Sequence, residues 1–296
     1  MTKQNMLLII NPISGRKKAK RYLYKIVDLL CRNDYKTTIF TTARQGEATS
    51  IVKEYAREFQ KIICCGGDGT LNEVFAGLAM LNHKMPVGYM PTGTMNDLAH
   101  ALDLPVKINK AMDTAINGHA RALDIGVLNA DKYFAYVASF GAFTEVSYTT
   151  PQWLKNIIGR ISYVFSGILR IGDIRPHSVK VIADGKEFSG NFIYGSVSNS
   201  TIIGGIIKLP KPDVCFDDGQ FEVLLIKNPK TRKELRAILR GIVHQSYDEK
   251  YVYYFKAKTL SFVFDEAAEW SIDGEYAGTL DKVHIANLHK MAQIVV

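Results

Sequence analysis

The chain reads as an α/β protein: an N-terminal domain of repeated βα units around a parallel sheet, followed by a mainly antiparallel β-sandwich domain. Three observations predict this. Over the first third, continuous apolar runs alternate with segments whose apolar residues recur at helical spacing. After about residue 124 the texture changes to short β-branched and aromatic runs, with Asp-Gly turns among them. The length, 296 residues with 47% hydrophobic and 22% charged, suits two domains or one large α/β unit and excludes a disordered or fibrous chain.

Met6–Ile10 is a continuous apolar run, as expected of a strand buried on both faces. Leu23, Ile26, Val27 and Leu30 then share one helical face. Thr37–Thr42 is β-branched and strand-like, and Val52, Tyr55, Ala56 and Phe59 repeat the helical spacing. Lys61–Cys65 is the next strand, Leu71–Leu81 the next helix and Val87–Met90 a fourth strand. Units of this kind place ligands beyond the carboxyl ends of a parallel sheet. In the second half, Tyr133–Ser139, Ser178–Ala183, Phe192–Ser198, Phe221–Ile226, Tyr251–Phe255, Ser261–Phe264 and Trp270–Ile272 read as strands. Asp184-Gly185 and Asp273-Gly274 signal hairpin turns, because glycine accepts positive φ. Helices are expected near Trp153–Leu169 and Thr231–Gln245. The apolar ending, Met291–Val296, is expected to return to the first sheet. The predicted domains are therefore 1–124 with a returning 284–296, and 125–283.

A formal charge of +8 points to an anionic partner, whether nucleotide, nucleic acid or membrane, although solubility alone would also account for it. The four cysteines, Cys31, Cys64, Cys65 and Cys215, form no C-x-x-C pair, which suggests neither a zinc site nor a disulfide framework and fits a reducing cytoplasm. The apolar stretch before Asn11 is too short for a signal peptide. The uncharged run Ile161–Leu169, bounded by Arg160 and Arg170, is too short to span a bilayer. No motif for nucleic-acid recognition is present, and the basic residues are scattered.

Three polar loops fall at strand ends. Gly66-Gly67-Asp68-Gly69-Thr70 follows a buried strand and opens a helix; glycines there let the backbone approach a phosphate, and helix N-terminal amides face the anion. A carboxylate in such a loop makes sense if Asp68 works through Mg2+. The same residues would equally make a tight turn in which Asp68 caps the helix. Thr92-Gly93-Thr94-Met95-Asn96-Asp97 repeats the chemistry, with Asn96 or Asp97 as a plain N-cap in the alternative. Asn11-Pro12-Ile13-Ser14-Gly15-Arg16 occupies the first βα turn, and the run Arg16–Arg21 puts cations on the first turn of a helix, against its dipole.

These residues carry a resemblance to the soluble diacylglycerol kinase family of bacteria, related to sphingosine kinases and more distantly to NAD kinases. The matches are Asn11-Pro12-x-Ser14-Gly15, Gly66 to Val74, Pro91-x-Gly93-Thr94-x-Asn96-Asp97, Val146-Ser147-Tyr148, Asp217-Asp218-Gly219 and Asp273-Gly274-Glu275. They keep the family's order over nearly the whole chain. The resemblance implies a Rossmann-like or NAD-kinase-like first domain that binds ATP. Its nucleotide residues would be Asn11, Pro12, Ile13, Ser14, Gly15, Thr42, Gly66, Gly67, Asp68, Gly69, Thr70, Leu71, Asn72, Glu73 and Thr94. Asp68 and Asp97 would position catalytic Mg2+ and phosphates. Glu275 would take the proton from the acceptor hydroxyl, a role that is mainly positioning in a loose phosphoryl-transfer transition state. Asp218, with backbone carbonyls of Cys215 and Gln220, resembles a second, structural Mg2+ site; Asp217-Asp218-Gly219 also makes a good turn without metal. Glu47 stands where the family commonly has Asp, and Arg16 where it commonly has Lys.

The implied function is an ATP- and Mg2+-dependent lipid kinase that converts diacylglycerol to phosphatidate. Its expected place is the cytoplasm, peripheral at the inner face of the membrane. Anionic headgroups are the expected contacts for Arg16–Arg21 and Trp153–Arg175, nucleic acid is not an expected partner, and a homodimer is an allowed assembly. The alternatives are a kinase for another lipid alcohol, phosphatidylglycerol-like or sphingoid, and a nucleotide-binding regulator without catalysis. Retention of Asp68, Asp97 and Glu275 together argues against the regulator.

Overall fold

Strand β1 (Asn5–Ile10) is buried from Met6 onward, as the middle strand of a parallel ladder must be. The computed structural model describes residues 4–33, 35–141, 175–204 and 207–296. They fall into two compact units. The first comprises Met1–Ile125, Phe216–Asp218 and Leu288–Val296, and the second Gly126–Cys215 and Gly219–Asn287. The inclusion of Phe216–Asp218 in the first unit has no counterpart in the sequence pattern.

In the first unit, β1 pairs in parallel with β2 (Lys36–Thr41) on one side and β3 (Lys61–Gly66) on the other. β3 continues to β4 (Pro86–Pro91), and β4 to Gln293–Val295, so the apolar C-terminus does return to this sheet. Helices α1 (Ser14–Arg32), α2 (Glu47–Tyr55), α3 (Asp68–Met80) and α4 (Asp97–Ala101) follow strand ends. A further helix, α5 (Ile108–Asn117), was not expected from the sequence; Ala111, Met112, Ala115 and Ile116, its buried positions, are the signal that reveals it. Gly88 lets it close on β4, since a Cβ there would lie 2.5 Å from the Ala115 carbonyl oxygen. Met6, Leu8, Ile10, Ile63, Cys65 and Met90 form this core with Ile26 and Leu30 of α1 and the buried face of α5. Helix α3 begins three residues before the expected Leu71, which puts Asp68, Gly69 and Thr70 in its first turn.

In the second unit the pairing is antiparallel. β9 (Lys186–Ser198) pairs first with β8 (His177–Ala183), then with β7 (Val137–Gly141) and β12 (Phe221–Lys227), which adds β13 (Val252–Ala257). β14 (Thr259–Ile272) divides likewise between β8 and β7. Strands shared in this way bring inward faces together, and an aromatic core fills them. Phe140 lies 4.9 Å from Phe264, 5.1 Å from Trp270 and 5.9 Å from Phe262, ring centre to ring centre. Offset and edge-on arrangements of this kind suit the ring quadrupoles. The expected strands Ser261–Phe264 and Trp270–Ile272 are one strand whose register with β15 (Glu275–Val295) shifts between Val263 and Ala268. Helix α6 (Arg232–His244) lies within the expected Thr231–Gln245. The expected helix near Trp153–Leu169, and Val146-Ser147-Tyr148, lie outside the described residues.

Both Asp-Gly dipeptides make the expected turns, with φ of +46° and +83° at Asp184 and Gly185, and +48° and +83° at Asp273 and Gly274. Each aspartate also gathers amides from a distant segment. Asp184 accepts from the Lys258 and Thr259 amides at 2.9 Å each. Asp273, buried, accepts from the amides of Ala135 at 2.7 Å, Tyr136 at 3.1 Å and Val137 at 2.9 Å. This capture explains why the expected strand Tyr133–Ser139 is broken into β6 (Lys132–Phe134) and β7: the intervening amides turn to a carboxylate instead of a neighbouring strand. Asp273→Ala would strand three buried donors, and chemical denaturation should show a loss of about 3 kcal/mol or more; a loss under about 1 kcal/mol would show that water replaces the carboxylate.

Candidate active site

The three polar loops of the first unit meet at the carboxyl ends of β1, β3 and β4. Asn11 closes a turn onto its own loop, with its side-chain oxygen accepting from the Ile13 amide at 3.2 Å and the Ser14 hydroxyl donating to its carbonyl at 3.0 Å. Its Nδ2 reaches the second loop, donating to Thr70 Oγ1 at 3.1 Å. The Ser14 and Thr92 hydroxyls lie 2.6 Å apart, which joins the first loop to the third. The glycines serve these contacts. Gly15, at φ +50°, abuts the Thr92 carbonyl, where a Cβ would collide with the oxygen. Gly67 and Gly93 pack backbone to backbone, so a Cβ on Gly93 would lie 2.6 Å from the Gly67 Cα. At Gly15, Gly67 and Gly93 the missing Cβ makes room for the neighbouring loop.

Asp68 is likewise more than a loop carboxylate. Its Oδ2 accepts from the Asp97 amide at 3.0 Å and its Oδ1 from the Leu98 amide at 3.4 Å. It therefore caps α4, not the α3 helix on which it sits. Asn96 occupies the N-cap position of α4 in the left-handed region, at φ +51°, and its Nδ2 donates to the Gly93 carbonyl at 3.0 Å. The Asn96 side chain does not supply the cap that the sequence suggested. Burial pushes the Asp68 carboxyl above its ordinary range, while the amides of Asp97, Leu98 and Asn96 pull the other way. Asp97, the first residue of α4, is buried.

The remaining expected nucleotide residues divide. Thr42 is buried just past β2, its amide donating to the Ile10 carbonyl. Pro12 is partly exposed, and Ile13 and Thr94 are exposed. Leu71 is fully buried in the core, so its side chain faces packing. Asn72 is half-buried on α3. The Glu73 carboxylate accepts from the amides of Gly46 at 2.8 Å and Ala48 at 3.0 Å, capping α2. Glu47 accepts from the Ala43 amide at 2.6 Å, at the surface. Cys64 and Cys65 are buried in β3, and burial raises both thiols, Cys65 to about 12, which leaves them unreactive.

A cluster that sequence reasoning missed lies elsewhere in the first unit. Asp124, fully buried in β5 (Ala120–Leu128), accepts from the Lys290 amide at 2.7 Å and from His289 Nδ1 at 3.2 Å, while its own amide donates to the Phe216 carbonyl at 2.8 Å. A carboxylate inside the apolar run Leu123-Asp124-Ile125 was the available signal. Asp217, within this reach, lies 3.9 Å from Lys290 Nζ. Cys215–Gln220 is irregular backbone that turns at Gly219, φ +78°, and Asp218 is partly exposed. In the second unit, Glu275 is exposed at the Asp273-Gly274 turn that the Asp273 clasp fixes.

Chemically, the three loops present hydroxyls, amides and carboxylate oxygens. The N-terminus of α3 has no side-chain cap at Gly67, so its first-turn amides can meet an anion, and the Asp68 charge is directed onto other amides. Carboxylate oxygens such as those of Asp68 are donors of the kind a hard divalent cation takes. Asp68→Ala should lower stability by about 2 kcal/mol, because the α4 amides lose their acceptor. Asp68→Asn keeps an acceptor and removes the desolvated charge, so it should melt within about 1 kcal/mol of the parent. Because the folded carboxyl titrates high, the parent should gain on the Asn variant as pH falls toward the ordinary carboxylate value. Equal melting of the Ala variant and the parent would refute the cap.

Comparison with known proteins agrees with this architecture. Residues 5–128 match the family model of the diacylglycerol kinase catalytic domain, and residues 112–290 match the YegS C-terminal NAD kinase beta sandwich-like domain. A Bacillus subtilis protein named diacylglycerol kinase is 36% identical over 290 residues, covering 97% of this chain and 95% of that protein. A Staphylococcus carnosus protein of the same name is 32% identical over 92% of this chain and 89% of its own length. A solved Bacillus anthracis structure, described as a candidate diacylglycerol kinase, superposes with a TM-score of 0.84 at 28% identity, covering 100% of this chain and 96% of that one. With an α/β unit of joined polar loops, an antiparallel second unit and full-length relatives of one name, the chain belongs to the diacylglycerol kinase family of lipid kinases.

Proposed function

We propose that this lipid kinase transfers the γ-phosphoryl group of ATP to the hydroxyl of diacylglycerol, giving phosphatidate, at a membrane surface. The observation that carries the reading is the joining of the three strand-end loops through Asn11–Thr70, Ser14–Thr92 and Asp68 to the α4 amides. Such a rim holds hydroxyls and helix amides in fixed positions, and phosphoryl transfer asks mainly for positioning and charge stabilisation. Asn11, Ser14, Thr70 and Thr94 are the residues for nucleotide contact, with the first-turn amides of α3 for phosphate. Asp68 and Asp97 are the residues to hold Mg2+, which when bound would neutralise charge on the phosphates. Glu275 is the residue to orient the acceptor hydroxyl and receive its proton.

Glu275→Gln keeps the size of the side chain and removes its basicity. Its kcat on diacylglycerol should fall about 10²–10⁴-fold, while ATP affinity measured by calorimetry stays near the parent value. Parallel loss of ATP binding would move Glu275 into the nucleotide shell, and full activity would leave it a turn residue. Thin-layer analysis of radiolabelled product with diacylglycerol, phosphatidylglycerol and sphingoid acceptors in neutral micelles identifies the substrate; phosphatidate as a minor product would favour another lipid alcohol.

Asp218, with the carbonyls of Cys215 and Gln220, remains the proposed seat of a structural Mg2+, a set of hard oxygen donors suited to that ion. EDTA should then lower the melting temperature of the parent but not of Asp218→Ala. An equal effect of EDTA on both would return this segment to a simple turn.

A further inference from the structure

Helix α6 is built with two unlike faces. Thr231 and Glu234 form a reciprocal cap: Thr231 Oγ1 accepts from the Glu234 amide at 3.2 Å, and Glu234 Oε2 from the Lys230 amide at 2.6 Å. Leu235 and Ile238 are buried on the inner face, with Leu239 and Ile242 partly so. Arg232, Arg236, Arg240 and His244 follow one another at spacing i, i+4 on the outer side, all exposed, with Lys233 beside them and exposed Val243 near the end. Successive members of this row are about 6 Å apart along the axis. Glu234, the helix's acidic residue, has its carboxylate committed to the cap. Among the described residues, no carboxylate lies within ion-pair distance of Arg232, Lys233, Arg236 or Arg240.

This row works against the helix that carries it. Like charges at i, i+4 repel, and Arg232 and Lys233 in the first turn oppose the helix dipole. The inner apolar face and the cap hold the helix, and these cations add repulsion without an ion-pair partner among the described residues. Their chemistry complements a surface of many anions. Guanidinium groups bind phosphate oxygens through paired N–H donors, and an anionic bilayer presents phosphates in a plane.

We propose that the Arg232–Arg236–Arg240 face of α6 docks the enzyme on anionic phospholipid headgroups. The choice of a lipid surface rests on the lipid-kinase reading given above. The face is distinct from Arg16–Arg21 and from every residue placed in the nucleotide or acceptor machinery, so docking and catalysis can be separated by substitution.

The test uses the full chain without ATP or diacylglycerol, sedimented with phosphatidylcholine vesicles with and without phosphatidylglycerol. The parent should bind only the anionic vesicles, and binding should weaken with salt. Arg232→Gln/Arg236→Gln/Arg240→Gln should bind about a hundredfold more weakly, with a shallower salt dependence. Its melting temperature should hold or rise, because the repelling pairs are gone. Arg236→Lys/Arg240→Lys, which keeps the charge, should retain most of the binding. On short-chain diacylglycerol dispersed in neutral detergent, the Gln variant should work at the parent rate. Unchanged vesicle binding by the Gln variant overturns the proposal, as does loss of binding by the Lys variant or a parent that binds no vesicles. Preference for nucleic acid over anionic vesicles also overturns it. If the parent binds vesicles through this face yet phosphorylates no lipid, the kinase reading fails and the docking surface stands.

Discussion

The candidate site depends on backbone meeting backbone where no side chain can intervene. Gly15 touches the Thr92 carbonyl, and Gly67 packs on Gly93, so the loops after β1, β3 and β4 can close on one another at the ends of their strands. The Ser14–Thr92 and Asn11–Thr70 hydrogen bonds follow from that approach, since side chains this short reach across only when the chains already touch. A single Cβ at Gly15 would force the first and third loops apart and break the Ser14–Thr92 hydroxyl contact.

Carboxylates are used throughout as gatherers of backbone amides. Asp68 caps α4, Glu73 caps α2, Asp184 and Asp273 each fasten a turn to a distant segment, and Asp124 ties the chain near Lys290 to β5. An ionised carboxylate accepting two or three amides can hold loops that share no regular pairing, because charged acceptors make the stronger hydrogen bonds. This usage narrows the chemistry open to each residue. Glu73 has each oxygen engaged by an amide at the start of α2. Asp68 has its two oxygens on the Asp97 and Leu98 amides, and burial pushes its carboxyl above the ordinary range. Glu275, exposed beside the clasped Asp273, is held by its turn while its side chain faces outward.

Charge divides the same way. Cations that stabilise the fold pair inward, as Lys256 does with buried Glu222 at 3.5 Å. The arginines of α6 have no carboxylate within ion-pair distance among the described residues, and their regular spacing concentrates positive charge on one helical face. No helix among the described residues is long and apolar enough to cross a membrane.

The sequence alone determined the elements whose burial is uniform or strictly periodic. Met6–Ile10, Lys61–Cys65 and Val87–Met90 are short, mostly apolar runs of the kind that fills the middle of a parallel sheet, and Asp-Gly fixed both hairpin turns through positive φ. The strand-end loops were legible too, since glycine and hydroxyl residues after a buried strand mark where a parallel sheet opens. Only the tertiary structure decided what those loop residues touch. That Asp68 caps α4 instead of α3, that Glu73 serves α2, that Asp273 splits one expected strand in two and that Phe216–Asp218 joins the first unit all depend on partners far away in the sequence. The physical reason is one of range: periodicity and propensity act over a few residues, whereas a carboxylate takes whichever amides the completed fold brings within 3 Å or so.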